Sequence, residues 1–244
     1  MRMRIERGMT RGRIALAATV AFLLLMLVPI RSAHALAKIG SADDQVCDPL
    51  ADYFLGVEDY PEAIRRHVDV IRNHPTNALA HYHLGFIYGV MGQHSKELAE
   101  YRDAIDLGLD DWQLFLNLGL LYLEDGQVAD ASSVLQLAAL LAPTRAETHF
   151  NLALAYEREG NLPQAEQEIL MSLEIDPTQA DAQNTLGAIY AEEGKYSRAS
   201  HEWTALVARD PAYTPARTNL SILQNVEDSG RKLAPGDASM TRVP

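Results

Sequence analysis

The chain has 244 residues, 48% of them hydrophobic, with one Cys and a formal charge of −12 from 21 basic and 33 acidic side chains. The apolar fraction is that of a folded protein, and a single Cys excludes an internal disulfide framework or a paired-Cys zinc site. The acidic balance argues against nucleic acid as a partner, because phosphate contacts need a basic surface.

The charge is unevenly placed. Residues 1–37 carry Arg2, Arg4, Arg7, Arg11, Arg13 and Arg31 against Glu6, a net of +5, so the remainder carries −17. An uncharged apolar run, Ile14 to Ile30, comes after the basic start and is 17 residues long. Ala33, Ala35 and Ala37 supply two overlapping small-x-small sites of the kind cut by signal peptidase. Seventeen residues lie between the roughly 7–15 of a signal core and the roughly 17–25 of a spanning helix. Residues 1–37 therefore read as a signal peptide or a retained signal anchor, and Pro29 with the two cleavage sites favours removal. Either way the basic end stays in the cytoplasm and the rest lies across the membrane. A bacterial periplasm is the expected location. Residues 38–43 form a linker. Cys47, among Asp43, Asp44 and Asp48, reads as a structural or incidental thiol, since nearby carboxylates disfavour the thiolate.

A period of 34 residues governs the chain beyond residue 43. Leu84-Gly85-x-x-Tyr88 recurs as Leu118-Gly119-x-x-Tyr122, Leu152-Ala153-x-x-Tyr156 and Leu186-Gly187-x-x-Tyr190. Four residues beyond each Tyr stands Gly92, Gly126, Gly160 or Gly194. Next come Glu97, Ala131, Ala165 and Ala199, then Ala104, Ala138, Ser172 and Leu206, and Pro143, Pro177 and Pro211 close three repeats. A weaker copy precedes them: Leu50-Ala51-x-x-Phe54, Ala63, Val70 and Pro75. Leu, the small residue and Tyr form a helical stripe. The Gly suits a left-handed helix end, and the Pro ends a second helix. Each period is thus a helix–turn–helix hairpin that must stack on its neighbours to bury both faces.

These residues resemble the tetratricopeptide repeat family over residues 44–213, as five repeats at 44–77, 78–111, 112–145, 146–179 and 180–213. The resemblance implies an all-α fold, a right-handed α-solenoid of stacked hairpins. A further helix at 214–226 caps the last repeat, and residues 227–244, without helical period, are expected to be disordered. Three departures stand out. Glu97 occupies the usual Ala position, where an unpaired buried carboxylate is costly, so Glu97→Ala is expected to raise thermal stability. Repeat 78–111 ends in Leu107-Gly108-Leu109 rather than Asp-Pro, so its exit should bend differently. Repeat 44–77 has Glu58 in place of the turn Gly, so its first helix should be short.

In the family, ligands usually bind the concave side lined by first helices. The resemblance carries this groove onto Tyr82, His83, Phe86, Leu116, Asn117, Leu120, Phe150, Asn151, Leu154, Arg158 and Asn184. The apolar members would cradle a peptide or protein segment while the Asn side chains bond its backbone. A family groove that clamps a terminal carboxylate needs Lys, but Tyr82, Leu116 and Phe150 stand at the matching positions, so chaperone-tail binding is not expected. The eight histidines show no i, i+4 helical zinc pair and read as exposed or core residues, with no metal or other cofactor expected. Nucleophile-elbow, P-loop and zinc-protease motifs are missing, so no catalytic residue is expected. The function expected is a non-enzymatic interaction scaffold in a cell-envelope assembly. The alternative is a self-associating structural protein held at the membrane by its N-terminal helix.

Overall fold

The computed structural model describes residues 48–228; the predicted signal or anchor, the linker, Cys47 and residues 229–244 lie outside it. Within those bounds the fold is all-α. The helices are α1 (Pro49–Gly56), α2 (Tyr60–Asn73), α3 (Ala78–Val90), α4 (His94–Asp106), α5 (Trp112–Glu124), α6 (Val128–Leu141), α7 (Ala146–Arg158), α8 (Leu162–Ile175), α9 (Ala180–Glu192), α10 (Tyr196–Arg209) and α11 (Thr214–Asp228). They form two compact units, α1–α4 and α5–α11. In the first, α1 packs on α2, α2 on α3 and α3 on α4. In the second, each helix from α5 to α11 packs on the next, and α5 also meets α7. Each unit is a solenoid of stacked hairpins, as the 34-residue period requires. The predicted cap is α11, which runs on into the first residues of the segment expected to be disordered.

The turn glycines do what their spacing demands. Gly92, Gly126, Gly160 and Gly194 adopt φ of 71°, 74°, 78° and 74°. Each lets the residue after it donate its N–H to the carbonyl of the repeat's Tyr: Gln93 to Tyr88, Gln127 to Tyr122, Asn161 to Tyr156 and Lys195 to Tyr190, all at 2.8 Å. This left-handed closure satisfies carbonyls that the helix end leaves open. Glu58 makes the same closure with φ 63°, and Asp59 N–H reaches Phe54 O at 2.9 Å. The first helix has 8 residues against 13 in α3, but it ends at the same register position, so it is shorter at its start and not because of Glu58. Gly108 gives α4 a left-handed end (φ 91°), whereas α6, α8 and α10 run into cap residues Ala142, Asp176 and Asp210 with φ of −131°, −129° and −130° before Pro143, Pro177 and Pro211. The exit of repeat 78–111 therefore differs as expected.

The hairpins are locked by one large side chain set over one small residue. A Cβ added at Gly85 would stand 2.7 Å from the Tyr101 ring; one at Gly119, 2.5 Å from Leu135 Cγ; one at Gly187, 2.6 Å from Trp203 Cε2. Tyr101, Leu135, Ile169 and Trp203 share one register position, and all are buried. Close helix approach at the small residue, filled from the facing helix, gives the interior its density. One register step earlier the same position is held by His67, fully buried.

Candidate functional site

The eleven predicted groove residues divide by exposure. In the first unit Tyr82 and Phe86 on α3 are half-buried, and His83 is buried. The Tyr82 ring stacks on Tyr101 with centroids 6.1 Å apart. In the second unit Asn117 and Leu120 on α5 are half-buried and Arg158 is exposed. Leu116, Phe150, Asn151, Leu154 and Asn184 are buried. The open apolar trough expected at Leu116, Phe150 and Leu154 is thus largely interior. A first helix turns part of this stripe toward the neighbouring first helix, as α5 does toward α7.

The polar members mostly serve the fold. Asn151 Nδ2 donates to Glu147 O of its own helix at 2.7 Å. Asn184 Oδ1 accepts from Asn219 Nδ2 at 3.1 Å, tying α9 to α11, while its backbone carbonyl accepts from Trp203 Nε1 at 3.1 Å. Arg158 Nη1 donates to Leu123 O at 3.1 Å, at the carbonyl end of α5. A cation there complements the helix dipole. Of the predicted groove residues, Tyr82 and Phe86 in the first unit and Asn117 and Leu120 in the second keep partial exposure, and Arg158 is exposed.

Two arrangements of histidine escaped the sequence reading. The first is a clasp repeated at one register position. His81 Nδ1 lies 2.7 Å from Glu100 Oε2, His149 Nδ1 lies 2.7 Å from Glu168 Oε2, and Gln183 Nε2 donates to Glu202 Oε2 at 3.3 Å. Its signal was present as a matched pair 19 residues apart.

The second draws on three helices. His83 Nδ1 of α3 lies 3.0 Å from Asp52 Oδ1 of α1. The His67 ring of α2 meets the His83 ring edge-on, with centroids 5.2 Å apart. Neither His67 nitrogen has a hydrogen-bond partner, although the residue is fully buried. Burial, with the adjoining His83, pulls the His67 pKa from 6.5 to about 4 and keeps the ring neutral.

This all-α fold of stacked hairpins is that of solved tetratricopeptide-repeat proteins. The family model described as tetratricopeptide repeat matches residues 116–180. No curated protein matches the chain in sequence. Solved structures match its fold. The structure titled YrrB, "a TPR protein with an unusual peptide-binding site", is 20% identical, with TM-score 0.65, over 81% of this chain and 98% of that one. MamA from Desulfovibrio magneticus RS-1 is 18% identical, with TM-score 0.63, over 68% of this chain and 93% of that one. Pseudomonas aeruginosa pilF is 20% identical, with TM-score 0.62, over 80% and 85%. At these identities the likeness is one of fold. Among the described residues no helix is long and apolar enough to cross a membrane.

Proposed function

We propose that the protein is a non-catalytic scaffold that holds a peptide or protein segment against the first helices of its repeats, outside the cytoplasm. The observation that carries this reading is the half-exposure of Tyr82 and Phe86 on α3 and of Asn117 and Leu120 on α5, at the register positions where ligands bind in the family. Rigid helices present these side chains already ordered, so a bound segment bears most of the ordering cost. The basic start and apolar run of residues 14–30 support export, and a role in an envelope assembly is drawn from that location. The peptide-binding site named for YrrB supports the same class of ligand.

The test is capture from the native envelope with Phe86→Glu and Leu120→Glu together. These variants should lose the captured protein while keeping parental helicity. Capture unchanged in the double variant removes the groove. Phe150→Glu is unsuited to this test, because Phe150 is only 5% exposed and a carboxylate there would unfold the repeat.

A second reading, self-association, is favoured by the outer helices of the second unit. Leu137, Leu140 and Leu141 on α6 and Leu170, Met171 and Ile175 on α8 are exposed. Apolar surface of this kind marks contact sites. Light scattering over a concentration series tests it, with a growing mass abolished by Leu140→Glu as the expected result and a constant monomer as the contrary one.

A further inference from the structure

We infer that Asp52, His67 and His83 form a binding site for one divalent transition-metal cation of the zinc type. One oxygen or nitrogen from each of the three residues lies within 4.8 Å of the other two. Zinc bonds of about 2.0–2.1 Å place tetrahedral donors about 3.3 Å apart. Asp52 Oδ1 already stands 3.0 Å from His83 Nδ1, so the remaining difference lies at His67, and binding requires its ring and the other two donors to draw together. Two imidazoles and a carboxylate suit zinc, copper, nickel or iron, and suit magnesium or calcium poorly.

The repeat register makes the site an exception rather than a pattern. His67 occupies the position filled elsewhere by Tyr101, Leu135, Ile169 and Trp203, large side chains set into the hairpin core. Asp52 occupies the position filled by Phe86, Leu120, Leu154 and Ala188. Two apolar columns thus turn polar within one repeat, at the two residues that converge on His83. A buried imidazole with both nitrogens unpartnered costs free energy that an aromatic ring at the same place would not. A cation bound to one of these nitrogens recovers part of that cost. The His81–Glu100 pair lacks this character, since its clasp recurs in other repeats and satisfies the ring.

The cation would tie α1, the shortest helix of the first unit, to α2 and α3. His67 closes the site from within the core. Asp52, on the solvent side, leaves room for water as a fourth ligand. Asp52 stands at the register position of Phe86 and Leu120, and His83 belongs to the predicted groove, but the site's role is to fix the first repeat and its metal readouts need no bound peptide.

The test is a zinc titration of the chelator-stripped full chain, read by calorimetry and thermal melting, with magnesium as comparison. Zinc should raise the melting temperature by about 5 °C or more at saturation, and magnesium should leave it unchanged. His67→Phe restores an aromatic ring to the core. It should melt at or above the parent temperature without metal and lose the zinc-dependent rise. Asp52→Asn, at an exposed position, should weaken zinc binding at least tenfold, and His81→Asn should leave the rise intact. No zinc-dependent change in the parent, with a water alone serving His67, overturns the site. A rise that survives both His67→Phe and Asp52→Asn also overturns it.

Discussion

Glu97 on α4 is buried directly against Gly89 on α3: a Cβ added at residue 89 would stand 2.6 Å from Glu97 Cδ. The two residues have exchanged volume. Other repeats carry Leu123, Glu157 or Ala191 at the position of Gly89, and Ala at the position of Glu97. The missing side chain of Gly89 makes the space that the carboxylate fills. This changes the outcome expected from the sequence. Glu97→Ala alone opens a void beside Gly89 and removes a side chain only 5% exposed, so it should destabilise by about 1–3 kcal/mol.

The same pairing predicts non-additivity. Gly89→Ala alone drives a methyl into Glu97 and should cost about 1–3 kcal/mol through overpacking. Gly89→Ala with Glu97→Ala should recover most of both losses, since the methyl then fills the void. Denaturant melts of the four proteins give the coupling, and simple addition of the two single losses would remove the exchange.

Glu58 holds a left-handed conformation (φ 63°) that Gly holds in the later repeats. A side chain in that region costs about 1–2 kcal/mol. Glu58→Gly should therefore raise stability, by about 1 kcal/mol after the greater freedom of Gly in the unfolded chain is deducted. A melt showing no gain would mean that the α1–α2 turn is held by something other than backbone preference.

The Asn184–Asn219 hydrogen bond, buried at 3.1 Å, predicts how the C-terminal end comes apart. Asn219→Leu leaves Asn184 Oδ1 without that donor inside the packed interior. The cost should be about 1–3 kcal/mol. Limited proteolysis should cut the variant first within α11, ahead of α9. Parental resistance of α11 would show that apolar packing, not this pair, secures the cap.

The repeats were legible because each signal was local or periodic. Tyr88, Gly92 and their successors lie within one turn of a helix end, and their 34-residue recurrence gave the hairpins, their ends and the late cap. The groove was legible only as a column. Register places Phe150 and Tyr82 at equivalent positions, yet one is buried and the other half-buried, because exposure depends on what the neighbouring helices bring. Asn184 was read as a ligand for a peptide backbone but serves α11, and that partner is 35 residues away. The Asp52, His67 and His83 cluster escaped for the same reason. Its members sit on three helices, 15 and 16 residues apart, with no helical spacing to announce them. The small residue at Gly89 was visible, but its meaning required the facing helix.

Site-specific photo-crosslinking in the native envelope tests most directly whether first-helix side chains grip another polypeptide. A photoreactive residue placed at Phe86, and separately at Leu120, should yield a discrete adduct with another protein, while one at the exposed Leu140 on the outer side of α6 should not. Adducts at Leu140 with none at Phe86 or Leu120 would contradict the claim and place the contact on the outer helices.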